Sequence, residues 1–329
     1  MSDLSNLKEV IGDYRYDDGI IISEDHIQKW LRQFPEDDRH VLVNELTYTL
    51  DKTYWSKTRV CDFLEKILSS TKRRFVGDNP EEFWRNVNIL NIQQQGSSQQ
   101  EMIHLLDLAA KRKYGFGVTA KPNSTTHVYL DDALYSGNRI HRDFKNWLEA
   151  KKEDSGEVHV VVLASHKQGK FYASEMISDY QKKFNTRFNF HWWSFLKFEN
   201  RSSYLSHSDV LKTTKLPDDP MVSNLVNKIE KRSTYSIKMR PITNPPYISQ
   251  FFSNERGRQE LERIFLVAGT RVLDACPDFP EFINPYGFSF LRGLGFGSLL
   301  AFYRNCPNTS PLSLWAGNPW IPLFPRKTN

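Results

Sequence analysis

The chain has 329 residues, 39% hydrophobic and 13% aromatic, which is enough apolar material for a sizeable core and excludes a disordered chain. Its 44 basic and 39 acidic residues leave a net charge of +5, a value that permits contact with phosphate without arguing for it. Cys61, Cys276 and Cys306 lie far apart with no C-x-x-C pair, which excludes a disulfide scaffold and a zinc ribbon and fits a reducing cytoplasm.

The N-terminal residues Met1 to Lys8 lack the basic-then-apolar pattern of a signal peptide. The longest apolar runs, such as Val160 to Ala164, are strand-sized, so a soluble, cytoplasmic protein with no membrane partner is expected. The first third reads as helical. Ser23 is a helix cap followed by Ile27, Trp30 and Leu31 at helical spacing, and Pro35 stops that helix. A second helix starts near Asp37 and carries Val41, Leu42, Leu46 and Leu50; a third runs from Val60 to Leu68, with the cations Lys72 to Arg74 closing it.

The middle third alternates strands and helices. Val87 to Ile92 predicts a strand, Gln93 to Gln99 a loop, and Met102 to Ala109 a helix. His127 to Leu130 predicts the next strand, and Ile140, Phe144 and Trp147 mark the helix after it. Val158 to Leu163 predicts a third strand, Ala173 to Lys182 a third helix, and Arg187 to Trp193 a further strand. Short hydrophobic strands alternating with helices describe an α/β fold with a parallel sheet. Helices are also expected over Val222 to Lys231 and Arg258 to Leu273, and the aromatic-rich end from Pro277 should pack on the core.

Chemistry concentrates in Val128 to Ile140. A buried strand ends in Asp131 and Asp132, and the chain turns through Tyr135, Ser136, Gly137, Asn138 and Arg139 into a helix. Ligands of an open parallel sheet bind at the carboxyl ends of its strands. A helix N-terminus offers unpaired N–H groups to an anion, and Gly137 allows close approach. The two carboxylates would repel a phosphate; they suit ribose hydroxyls, or the Mg²⁺ that accompanies a phosphorylated sugar. Acids for the sugar beside a turn for the phosphate describe a ribose 5-phosphate site.

This segment resembles the phosphoribosyl pyrophosphate motif of type I phosphoribosyltransferases. The resemblance implies ribose binding by Asp131 and Asp132, with Mg²⁺ held indirectly through the ligand, and 5-phosphate binding by Tyr135, Ser136, Gly137, Asn138 and Arg139. Gln95, Gly96, Ser97 and Ser98 fall where that family places its pyrophosphate loop. The chain is more closely similar to the phosphoribosyltransferase-like branch of bacterial conflict systems, including retron antiphage operons. That likeness is carried by Trp84 to Leu106, Val128 to Ile140, Gly295 to Ser298, Tyr303 to Pro307 and Pro322 to Arg326. It implies a parallel sheet flanked by helices over 76–200, an N-terminal helical extension over 1–75 and a C-terminal hood over 201–329. It further implies an effector of antiphage defence, partnered by a reverse transcriptase and its DNA–RNA product, and leaves a homo-oligomer open.

The departures concern turnover. Purine-salvage members carry an Asp base where Tyr135 stands, and a phenol is a poor base at neutral pH. The stretch from Tyr114 to Thr126 is also too short for the mobile lid of that family. No catalytic residue is therefore assigned. Two readings stay open: a phosphoribosyl- or ribosyl-transferring protein that binds phosphoribosyl pyrophosphate or a nucleotide, and a non-catalytic nucleic-acid-binding or regulatory module with a vestigial sugar-phosphate site. For the second, the cations and rings of Lys182 to Arg201 could stack on single-stranded nucleic acid, although strand alternation alone explains their spacing.

Overall fold

The computed structural model describes residues 4–94, 96–151, 153–232, 236–276, 279–289 and 293–327. Its chain divides into two compact units, one of residues 58–198 and one that joins 1–57 to 199–329.

The 58–198 unit is built on four strands: β1 (Asn88–Leu90), β2 (Thr126–Leu134), β3 (Ser155–His166) and β4 (Arg187–Phe198). They are all parallel and lie in chain order, which makes this an α/β fold with helices flanking a parallel sheet. Three helices connect them: α1 (Ser98–Tyr114), α2 (Asn138–Ala150) and α3 (Lys167–Phe184). Central β3 is buried on both faces, which is why its valines form an unbroken run. Val158, Val160 and Val162 meet Ile140, Phe144 and Leu148 of α2 and Ala173 and Ile177 of α3. The opposite face is covered by short helices, with Phe75 and Phe83 against His159 and Phe75 also against Trp193.

Three local outcomes differ from the sequence reading. β1 keeps only the middle of the expected strand, because Gln99 Oε1 accepts the N–H groups of Ile92 and Gln93 in place of a neighbouring strand. Lys72 to Arg74 do not close a helix; Lys72 caps a new one, Arg73–Val76, and Leu68 ends the previous one. A further short helix, Pro80–Asn86, starts where Asn79 accepts the N–H of Glu82 at 3.2 Å. As strand alternation implied, three rings of β4 are engaged within the unit: Phe188 packs on Trp147, Phe190 on Phe144, and Trp193 donates to His159 at 3.1 Å. As its length implied, 115–125 forms no strand; Gly115, at φ +75°, ends α1 by donating to the Lys111 carbonyl.

The other unit is assembled from both ends of the chain. Ser23 caps Glu24–Leu31 as expected, with the His26 N–H on its hydroxyl at 3.1 Å. Helix Glu36–Thr53 packs along helix Glu255–Ala275. Tyr54–Trp55 pairs in parallel with Ala301–Phe302. The aromatic C-terminal stretch docks on the N-terminal helices: Trp30 donates to the Ser313 carbonyl at 2.9 Å and Tyr14 to that of Pro325 at 3.1 Å. Pro277, where that stretch was expected to begin, lies outside the described residues.

A buried charge network runs through this unit. Arg258 donates to Glu262 at 2.8 Å and to the Ser208 and Val210 carbonyls at 2.7 and 2.8 Å. Arg240 bridges Glu255 and Glu262 at 2.7 and 3.3 Å. Fixed charges at this depth persist because each is matched by an opposite charge and by carbonyls. No helix among the described residues is long and apolar enough to cross a membrane.

Candidate functional site

Successive side chains of a strand point to opposite faces, so β2 cannot present both of its aspartates to one ligand surface in the same way. Asp131 turns onto the face that carries Tyr129 and is only 4% exposed. Its Oδ1 accepts the Ser98 hydroxyl at 2.7 Å and the Asp132 N–H at 2.9 Å, and the Tyr129 hydroxyl lies 3.4 Å from Oδ2. Burial, reinforced by the neighbouring Asp132 charge, pushes the Asp131 carboxyl up to about 7. Asp132 is half-buried and receives the Ala133 N–H at 2.6 Å. Asp132 is thus the carboxylate set closer to solvent, and Asp131 the one beneath it.

The Gln-rich loop after β1 is ordered by its own amides. Gln93 Oε1 accepts the Gln99 N–H at 3.1 Å, and Gln93 Nε2 donates to the Ser98 hydroxyl at 2.9 Å. Gly96 takes φ +91°, Ser97 stands at the N-cap of α1, and Ser98 reaches Asp131, which ties this loop to the acidic strand end. Gln95 lies outside the described residues.

At the start of α2, Ser136 accepts the Asn138 N–H at 3.3 Å and Gly137 occupies the N-cap at φ +82°. A Cβ on Gly137 would come within 2.3 Å of the Gly169 carbonyl oxygen, and one on Gly169 within 1.9 Å of that of Tyr135. The two glycines therefore let the α2 and α3 starts meet backbone to backbone, a packing role that sequence alone did not suggest for Gly137. Arg139 is exposed, and its charge favours the ionised forms of both Asp131 and Asp143. Tyr135 stacks on His166 at 5.2 Å between centroids, and His166 stacks on Phe198 at 4.8 Å. Burial holds His166 neutral, down to about 4, with its Nδ1 3.1 Å from the Leu134 carbonyl.

A family model, PRTase-CE, matches residues 27–326. This chain belongs to the PRTase-CE family. It is a phosphoribosyltransferase-like protein. No curated protein and no solved structure matches it.

Within this PRTase-CE protein, sequence reasoning missed Asp143. That residue lies on the apolar stripe of α2, three positions after Ile140 and one before Phe144, and it is 1% exposed. Its Oδ2 accepts the Tyr129 hydroxyl at 3.0 Å and its Oδ1 the backbone N–H of Gln94 at 3.2 Å. Burial raises its carboxyl above the usual range. A carboxylate on the buried stripe of an amphipathic helix was the signal available, since acids there need a dedicated partner. Among the described residues no three His, Cys, Asp or Glu side chains gather as a metal cage. The donor set at the strand end, one half-buried carboxylate above a buried one, suits an ion carried in on a ligand's phosphates.

Proposed function

We propose that the 58–198 unit binds phosphoribosyl pyrophosphate or a related nucleotide together with Mg²⁺. The observation that carries the reading is the end of β2, where half-buried Asp132 is followed within a few residues by the Tyr135–Arg139 turn opening α2. Asp132 would accept the ribose hydroxyls, with Asp131 holding its backbone from below. The hydroxyl of Ser136, the N–H groups of Gly137, Asn138 and Arg139, and the Arg139 guanidinium would receive the 5-phosphate beside Tyr135. Gly96, Ser97 and Ser98 would face the pyrophosphate, because Ser98 already joins their loop to Asp131. Mg²⁺ would be held through the ligand, by Asp132 on the sugar side, and would supply charge neutralisation for a departing pyrophosphate.

Transfer, where it runs, breaks the bond between C1 of the ribose and the pyrophosphate oxygen. It forms a bond from C1 to the acceptor, which loses its proton to solvent or to the leaving group. The chain's own contribution is electrostatic: N–H and hydroxyl donors fixed where negative charge gathers. One observation favours a second reading, binding without turnover. Tyr135 stands in the place of the family's acidic base and its ring is stacked on His166. Sequence likeness to the conflict-system branch supports a role as an antiphage effector with a retron reverse transcriptase and its DNA–RNA product as partners.

Isothermal calorimetry with phosphoribosyl pyrophosphate and Mg²⁺ tests the first reading. The wild-type protein is expected to bind, and Asp132→Ala to lose at least tenfold in affinity with its melting temperature kept. Equal, weak heats from both proteins would remove the proposal. Release of pyrophosphate from the bound ligand, followed with and without candidate bases, separates transfer from binding alone.

A further inference from the structure

The buried acids at the strand end have a second connection that the sugar site does not use. Gln94 and Ser98, at either side of the Gly96 turn, are each held by a different carboxylate: the Gln94 N–H by Asp143 at 3.2 Å and the Ser98 hydroxyl by Asp131 at 2.7 Å. The Tyr129 hydroxyl lies between the two acids, 3.0 Å from Asp143 and 3.4 Å from Asp131. Asp143 belongs to α2 and Asp131 to β2, so the loop after β1 is fastened to two elements that follow it in the chain. Ion pairing does not explain an acid on the apolar stripe of α2, since its contacts are one hydroxyl and one N–H. What it does hold is the loop backbone.

We propose that Asp143 is a positioning residue for the described part of the loop after β1, Gln94 and Gly96 to Ser98, acting with Tyr129 to set Ser97 and Ser98 toward a pyrophosphate. The inference rests on the sugar-phosphate reading above for its ligand but not for its geometry. Without Asp143 the Gln94 N–H loses its acceptor, while the loop keeps the Gln93 bonds to Ser98 and Gln99, the Gln94 side-chain bond to the Ile92 carbonyl and the Ser98 bond to Asp131. Asp143 bonds to Tyr129 and Gln94 rather than to the turn at Tyr135 to Arg139, which it meets through the charge of exposed Arg139, so the 5-phosphate end is expected to change little.

Two ligands and three variants test this. Asp143→Ala is expected to weaken binding of phosphoribosyl pyrophosphate about tenfold and to leave ribose 5-phosphate, which lacks the pyrophosphate, within twofold of wild type. Asp143→Asn keeps an oxygen for the Gln94 N–H and should recover most of the loss; Tyr129→Phe should fall between. Hydrogen exchange at the Gln94 amide is read in the same proteins without ligand, and should accelerate in Asp143→Ala but stay slow in Asp143→Asn. Equal losses for both ligands, or unchanged exchange at Gln94, would overturn the assignment. If the wild-type protein binds neither ligand, the sugar-phosphate reading falls, and with it the role toward pyrophosphate; faster Gln94 exchange in Asp143→Ala would then still establish that Asp143 fastens the loop.

Discussion

The two units bury charge in opposite ways. In the unit made from the chain ends, Arg258 and Arg240 are matched by Glu262 and Glu255, and the leftover donors of Arg258 reach carbonyls. In the 58–198 unit, Asp131 and Asp143 are relieved by hydroxyls, N–H groups and the exposed Arg139. A balanced network serves to hold a core in one arrangement. Acids buried without a buried counter-charge stay hard to ionise even though hydrogen-bond donors ease them, and hard-to-ionise groups gathered at the carboxyl ends of a parallel sheet are a feature of ligand sites.

The contrast is open to attack at its strongest point first. Glu262→Ala leaves two buried guanidiniums without their shared partner and should cost about 3–5 kcal/mol in urea denaturation. Its effect on affinity for phosphoribosyl pyrophosphate should be nil in protein that remains folded. A loss under 1 kcal/mol would mean the network is slack and the comparison empty. Gly137→Ala forces a side chain into the Gly169 carbonyl and a non-glycine residue into φ +82°, and should cost about 1–3 kcal/mol. A neutral outcome would show that the α2 and α3 starts separate freely.

The pH-dependent effect is the most diagnostic, because it reads ionisation directly. Asp131 takes its proton near 7 when folded and near 3.8 when exposed. Between those values the folded state holds a proton that the unfolded state has released, so stability falls as pH rises through the window. Asp131→Asn removes that penalty. Its melting temperature relative to wild type should therefore rise from pH 5 to pH 8, and a flat difference would contradict the burial argument. His127, His159 and His166, each pushed down to about 4 by burial, act with the opposite sign: folded protein loses stability as pH falls below 6.5, where only the unfolded chain picks up their protons. They are present in both proteins and cancel in the difference.

Much of the sheet could be read from the chain alone. The unbroken valines of β3, the alternating rings of β4 and the Ser23 cap are local patterns, and local physics decides them. The acid pair and the Ser-Gly turn were legible for the same reason. What escaped was non-local or against type. Pairing of Tyr54–Trp55 with Ala301–Phe302 is a contact of two residues on each side, too short to leave a periodic trace. Asp143 escaped because hydropathy patterns place carboxylates outside. The unequal burial of Asp131 and Asp132 follows from the two-residue period of a strand, a rule that reading the pair as a single motif passes over.

Synthesis runs from one end of the chain to the other, and the discontinuous unit makes that direction matter. Residues 58–198 have the contacts of their own unit once residue 198 has left the ribosome, whereas helices laid down first must wait for Ser313 and Pro325, far later in the chain, to complete them. A message cut short would thus yield a finished sheet beside unfinished ends, and the nascent protein passes through that same half-built condition every time it is made.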